Sequence, residues 1–210
     1  MCGLRKGRLL RWYQRRLINK MKETKSYERF EIRLSGSGGQ GLVLGGVILA
    51  EALGVYEGKN VAQTQSYGPE ARGGASRSDV VLADGEIYYP KATEPDLLLC
   101  LTQESCDQYY PTMKEDGILV VDSSTVRQLP TTEAYSLPFI RVAKDQVGTP
   151  VVANVVSISA VVGITGICSK ESILKAVLGR APRGTEDKNK MACELGYEMG
   201  VNAKRGVHVQ

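Results

Sequence analysis

Apolar and polar residues alternate from Phe30 to Ser35 with the period of a strand. The Gly-Ser-Gly-Gly-Gln-Gly run from Gly36 then leads into an apolar stretch, Leu42 to Leu53, that predicts a helix ending at Gly54. Asn60 to Gln65 is a second extended segment, and the polar, glycine-rich run from Ser66 to Ser78 predicts a long loop. Ala83-Asp84-Gly85 stands between Ser78–Leu82 and Glu86–Tyr89 and predicts a hairpin, so the sheet should hold an antiparallel pair. Asp96–Leu101 and Gly117–Val121 are nearly continuous apolar runs, as in strands covered on both faces; the helical stretch Gln103–Met113 between them gives a right-handed crossover. Phe139–Val142 predicts one more strand. Helices follow at about 150–162, at 170–178 (capped by Ser169, stopped at Gly179) and at 186–200, the last with Met191, Leu195 and Met199 as its apolar stripe and Glu186 and Asp187 at its start. No internal repeat is visible. The expected class is α/β: a three-layer Rossmann-like fold with a mixed, mostly parallel sheet and a helical C-terminal third.

Length and charge add an appendage. The 210 residues suit one domain, and 42% hydrophobic with 24% charged residues excludes disordered, collagenous and disulfide-framework classes. Of the 27 basic residues, seven (Arg5, Lys6, Arg8, Arg11, Arg15, Arg16 and Lys20) lie in residues 1–20, which contain no acid; residues 21–210 therefore hold 20 basic residues against 23 acidic ones, a net charge of −3. The division expected is a basic arm, 1–28, and a single domain, 29–210. Because the basic excess sits in the arm, a nucleic-acid-binding face is not indicated. The arm reads either as a basic amphipathic helix, with Leu10, Tyr13 and Leu17 on one side, or as an unstructured or over-extended start, and it is assigned no function. Residues 151–168 carry no charge, yet Asn154, Ser157, Ser159, Gly163, Thr165 and Gly166 interrupt them and Thr149-Pro150 starts a soluble helix; a buried helix is expected, not a membrane span. Five cysteines, odd in number and without a C-x-x-C pair, indicate no zinc or iron-sulfur site and a reducing compartment, the cytoplasm.

Gly36-x-Gly38-x-x-Gly41 has the spacing and the strand-to-helix context of a dinucleotide turn, where glycines let backbone amides approach a diphosphate at a helix N-terminus. The acid that would grip a ribose is replaced by Gln63-Thr64-Gln65. An NAD enzyme is thus disfavoured, and another diphosphate or a plain tight turn remain. In Ser66-Tyr67-Gly68-Pro69-Glu70-Ala71-Arg72-Gly73-Gly74, Arg72 can hold a phosphate or carboxylate with Glu70 orienting it, or the two can form a solvated contact. Asp122 ends a strand where α/β proteins place ligand groups, and a helix cap explains it equally. With His208 the sole histidine, near the C-terminus, no Ser-His or Cys-His pair and no His-based metal site can be built; no catalytic residue is assigned.

The two motifs together, F-E-I-R-L-S-G-S-G-G-Q-G from Phe30 and Q-S-Y-G-P-E-A-R-G-G-A-S from Gln65, resemble the gamma subunit of 2-oxoacid:ferredoxin oxidoreductases. The likeness extends over about residues 27–200, including the D-L-L-L-C-L and D-G-I-L-V-V-D strands and the N-V-V helix at Asn154. It implies a hetero-oligomeric enzyme that decarboxylates a 2-oxoacid oxidatively, joins the acyl group to coenzyme A and passes electrons to ferredoxin. It places thiamine diphosphate and iron-sulfur clusters in partner subunits: alpha, beta and, where one is present, delta. It places coenzyme A at this subunit, with Gly36, Gly38, Gly39, Gln40, Gly41, Ser66, Tyr67, Glu70, Arg72 and Gly73 as the residues that would hold or shape its site. 2-Oxoglutarate is favoured on general likeness. The small subunit of an indolepyruvate oxidoreductase shares these motifs, and a stand-alone nucleotide-binding protein is the reading from another class.

Overall fold

The computed structural model describes residues 27–67 and 75–206; residues 1–26 of the basic arm, residues 68–74 of the second motif and His208 lie outside the described residues. Chain order is β1 (Phe30–Ser37), α1 (Leu42–Glu51), β2 (Asn60–Tyr67), β3 (Ala75–Ala83), β4 (Leu97–Cys100), α2 (Gln103–Tyr109), β5 (Ile118–Asp122), β6 (Tyr135–Leu137), α3 (Phe139–Asp145), α4 (Ala153–Thr165), α5 (Lys170–Arg180) and α6 (Glu186–Lys204). The sheet order is β2-β3-β1-β4-β5-β6. β1, β4, β5 and β6 run parallel, while β3 lies antiparallel between β1 and β2. The mixed, mostly parallel α/β sheet and the helical C-terminal third are as the pattern implied.

Alternation on β1 sorts the two faces. Ile32 and Leu34 join Val80, Leu82, Leu97 and Leu99 in the main core under the helices, with Phe139, Val156, Ile173 and Ala192 among the helical contributors. Leu98, Cys100, Leu119 and Val121 point to the opposite face and pack on Cys106, Tyr109 and Val126. That face is thinly covered, by α2 and irregular chain. There β1 presents polar residues: Arg33 donates to Asp79 (2.8 Å), Thr112 and the Ala92 carbonyl, and Glu31 accepts from Arg29 and from the Thr93 and Glu94 amides. These groups are buried but saturated, which is the condition for tolerating charge there.

Every residue of α4 is buried, so the uncharged stretch is a core helix. Thr149 caps the 3₁₀ turn Pro150–Val152 that leads into it, and Gly166, at φ 66°, ends it. α4 meets α6 backbone to backbone. A Cβ on Gly196 would collide with the Val156 carbonyl, one on Gly200 with Ala160, and one on Gly163 with Tyr197. Among the described residues no helix is long and apolar enough to cross a membrane, and Cys100, Cys106, Cys168 and Cys193 are free and buried.

Four expectations are corrected. The Asp84-Gly85 hairpin does not form, because β3 already has β1 and β2 on its two sides and Glu86–Tyr89 finds no edge. The turn is held instead by Tyr27, whose amide donates to Asp84 (2.6 Å), and by Asn60, which donates to the Asp84 and Gly85 carbonyls. The antiparallel hairpin joins β2 and β3, whose pairing extends to Tyr67↔Ser76 and shortens the expected 66–78 loop. Phe139–Val142 is helical, not a strand: Asp122 takes the Ile140 amide at 2.8 Å, starting α3, and Phe139, Val142 and Ala143 bury one helical stripe. Neither glycine stop holds: α1 continues past Gly54 as a wider π-helical turn, Ala52–Tyr56, with Gly58 the left-handed glycine at φ 69°, and α5 runs through Gly179 to Arg180.

Candidate functional site: the glycine turn at the sheet's switch point

β1 and β4 are parallel neighbours whose connections leave in opposite directions. From β1 the chain passes through α1 to β2 on one side; from β4 it passes through α2 to β5 on the other, over the opposite face. Open α/β sheets bind ligands in the crevice such a divergence leaves beyond the strands' carboxyl ends. Gly36–Gly41 fills that position.

Its shape follows from where side chains are impossible. A Cβ on Gly36 would lie 2.8 Å from Leu42 Cδ1 and 3.2 Å from Leu101 Cβ, so glycine is required for β1 to pass beneath its own helix. Gly39 and Gly41 have φ of 92° and 72°, left-handed values that L side chains resist. Gly41 is also the N-cap of α1, with no side chain capping the helix. The first-turn amides and the positive end of the helix dipole are thereby left to face the crevice. Gln40 turns inward: its Oε1 accepts the Ser37 amide (2.8 Å) and its Nε2 donates toward the Leu101 carbonyl (3.5 Å). It braces the turn with its side chain. Gly38 has open space where a Cβ would stand.

One residue that sequence reasoning missed as a site residue locks the turn to the helical layer. Asn154, buried at the start of α4, donates Nδ2 to the Gly41 carbonyl at 3.1 Å, and a Cβ on Gly41 would sit 2.8 Å from the same nitrogen. An amide buried in an otherwise apolar helix is the signal that could have found it. On the β4 side, Thr102 caps α2 by accepting the Ser105 amide. Behind it burial pushes the Cys100 thiol up, while a hydrogen bond with Cys100 lowers Cys106. Both thiols are fully buried.

Across the sheet the register aligns Gly36, Ser76 and Tyr67. The first motif and the start of the second therefore lie at one end of the sheet, two strands or about 10 Å apart. Ser66 is exposed there. Glu70, Arg72 and Gly73 lie outside the described residues. Asp122 is buried, and its two oxygens accept the Ser124 and Ile140 amides; it is a structural cap for α3 and offers nothing to a ligand. No cluster suited to a metal ion exists among the described residues.

The profile of the pyruvate ferredoxin/flavodoxin oxidoreductase family matches residues 31–199, most of the chain and all of this crevice. The chain belongs to this family. It is 49% identical over 175 residues to the 2-oxoglutarate synthase subunit KorC of Methanocaldococcus jannaschii, covering 81% of this chain and 94% of that one. Among solved structures it resembles the gamma subunit of a keto/oxoacid ferredoxin oxidoreductase from Geobacter sulfurreducens, with a TM-score of 0.76 and 48% identity over 83% of this chain and 98% of that chain. It also shares the fold of a 2-oxoglutarate:ferredoxin oxidoreductase from Magnetococcus marinus determined with 2-oxoglutarate, coenzyme A and succinyl-CoA bound (TM-score 0.72, 20% identity, 83% of this chain and 31% of that one). The resemblance to gamma subunits carried by the two glycine-rich motifs is borne out, and the chain is a subunit of an oxidoreductase of this family.

Proposed function

We propose that this chain is the gamma subunit of a 2-oxoglutarate:ferredoxin oxidoreductase and contributes the phosphate end of its coenzyme A site. The gradient of identity carries the choice of substrate. KorC of M. jannaschii is 49% identical, whereas the ketoisovalerate subunit VorA and the pyruvate synthase subunit PorC of Methanothermobacter marburgensis are 31% and 29% identical. The complex converts a 2-oxoacid and coenzyme A into acyl-CoA and carbon dioxide, and two electrons pass to ferredoxin. Thiamine diphosphate supplies the carbanion chemistry of decarboxylation and, with the clusters, belongs to the alpha, beta and, where one is present, delta partners.

This chain positions a co-substrate. The crevice suits a diphosphate: the amides of Gly38, Gly39 and Gly41 and the uncapped start of α1 offer donors and positive potential, and Gln63-Thr64-Gln65 stands where an acid would grip a ribose. Gln40 and Asn154 fix the turn before any ligand arrives, so little ordering cost falls on binding. Arg72, carried on the loop that the β2–β3 hairpin sends to the same end of the sheet, supplies the charged contact, with Tyr67, Glu70 and Gly73 shaping that loop.

Co-expression with neighbouring genes, purification on a tag on this chain and assay of coenzyme A-dependent dye reduction test the reading. Thiamine-diphosphate and iron-sulfur subunits should co-purify, and 2-oxoglutarate should outpace pyruvate, branched 2-oxoacids and indolepyruvate. Arg72→Ala should raise the KM for coenzyme A and leave decarboxylation itself intact. A chain that recruits nothing, or an Arg72→Ala complex with unchanged coenzyme A dependence, overturns the corresponding half of the proposal.

A further inference from the structure

The two edges of the sheet are finished differently. β6 is three residues long and is followed by Pro138, one of the ways proteins keep an edge from pairing. β2 is eight residues long, pairs with β3 in unbroken register, and its sequence, Asn-Val-Ala-Gln-Thr-Gln-Ser-Tyr, contains neither a charge nor a proline. Among the described residues no strand lies on its outer side.

The register tells which backbone groups point outward. The amides of Asp96 and Leu101 donate to the carbonyls of Glu31 and Ser35, so odd-numbered residues of β1 turn their peptide groups toward β4 and even-numbered ones toward β3. Ile32 lies opposite Val80, so even-numbered residues of β3 face β1 and odd-numbered ones face β2. Thr64 lies opposite Asp79. Even-numbered residues of β2 therefore bond to β3, and Val61, Gln63, Gln65 and Tyr67 present their N–H and C=O groups outward.

We propose that this edge is a homodimer interface on which a second copy of the chain lays its own β2 antiparallel, about a two-fold axis at Thr64. The strand is complementary to itself in that register. With the axis at Thr64, Gln63 faces Gln65 and Val61 faces Tyr67, so every outward-pointing residue meets another and each pair exchanges both of its hydrogen bonds. An axis at Gln63 or Gln65 carries Tyr67 or Val61 past the end of the partner strand. Between these pairs Thr64 meets Thr64 and Ala62 meets Ser66. An isologous contact sets each residue on the axis against its own copy, so a charge there would repel itself. A strand built for a different partner is free to carry charge complementary to that partner, and this one carries none.

The pairing joins two six-stranded sheets into one continuous sheet. The inference is independent of which 2-oxoacid the complex uses.

Light scattering on the full-length chain, at high micromolar concentration, should give about twice the 22.8 kDa of one chain. Gln65→Pro removes an outward amide and no bond to β3, so the circular dichroism and thermal midpoint should hold while the mass falls to one chain. In a Cys2→Ser background, where the four described native cysteines are buried, Thr64→Cys should cross-link on mild oxidation. Two thiols give up two protons and two electrons to the added oxidant and become one disulfide. Directly opposed non-hydrogen-bonded residues are about 4.5 Å apart at Cα, within disulfide reach. Ala62→Cys, facing Ser66, should stay a monomer on a non-reducing gel. A monomeric wild-type chain overturns the proposal, as does a dimer that survives Gln65→Pro without a Thr64→Cys cross-link. So do β2 amides that become slow to exchange only when other oxidoreductase subunits are added; that result would give the edge to a different subunit.

Discussion

Gly41→Ala and Gly38→Ala separate the architecture of the glycine turn from its use. At Gly41 the backbone has φ 72°, a left-handed value that costs an L residue about 1–2 kcal/mol. The new Cβ would also stand 2.8 Å from Asn154 Nδ2, so the side chain must move and the 3.1 Å bond to the Gly41 carbonyl is lost. That adds a net cost of about 1 kcal/mol, for a total of about 2–3 kcal/mol. A domain with an ordinary margin of about 5–15 kcal/mol still folds. At Gly38, φ is outside the left-handed region and no atom lies within 4 Å of the added carbon. The stability change there should stay within about 0.5 kcal/mol. Its methyl would occupy the space in front of the turn, where the proposed diphosphate sits. Urea denaturation of the chain and coenzyme A titration of the assembled complex read the two effects separately. Gly41→Ala should lower the denaturation midpoint and raise the KM for coenzyme A. Gly38→Ala should raise the KM several-fold at unchanged midpoint. A Gly38→Ala complex with wild-type coenzyme A dependence would remove the turn from that site, and a Gly41→Ala chain as stable as wild type would refute the locking by Asn154.

Two helical glycines should respond with opposite signs. Gly196→Ala drives a methyl into the Val156 carbonyl and should destabilise by about 1–3 kcal/mol, whereas Gly179→Ala, with only Glu51 Oε1 at 3.7 Å, should stabilise by up to about 1 kcal/mol. Equal responses in denaturant would contradict the close helix contact. Arg33→Met leaves the buried Asp79 carboxylate with only Arg77, at 4.0 Å, and should cost about 3 kcal/mol, most of it recovered in Arg33→Met/Asp79→Leu; additive losses in the double-mutant cycle would count against the pairing. Burial, helped by the Glu57 carboxylate, pushes the Cys168 thiol up to about 12 from its ordinary 9.0. The folded state then holds this proton more tightly than the unfolded one, so the thiol leaves stability flat below pH 9 and erodes it as pH rises toward 12, by an amount on the order of 4 kcal/mol at the end of that range. Cys168→Ala should flatten that alkaline slope, and an unchanged slope in thermal melts between pH 8 and pH 11 would exclude the thiol as its source.

What could be read from the chain divides by the range of the interaction. Gly36, Gly39 and Gly41 were legible because a crowded strand exit and left-handed φ values select glycine locally. The burial of α4 was legible because no charge interrupts it. The Asp84-Gly85 hairpin failed because its signal is local while the outcome depends on which edges of β3 are already taken. Phe139–Val142 failed similarly: its bulky and β-branched residues suit a strand, and the cap that makes it helical comes from Asp122, distant in sequence. Asn154 carries no motif of its own, and only contact with the Gly41 carbonyl gives it meaning. Glu70 and Arg72 rest on the likeness of their motif to the family.

The glycine seam between α4 and α6 has a mechanical consequence. Side-chain interfaces absorb small shifts by changing rotamers, but where Gly163, Gly196 and Gly200 let backbone meet backbone there is no such slack. A displacement of α6 is handed on to α4 undiminished, and α4 grips the glycine turn through Asn154. α6, α4 and the glycine turn are thus joined by contacts with little slack between them. A mutation that loosens the seam should make the crevice less sharply defined before it unfolds anything.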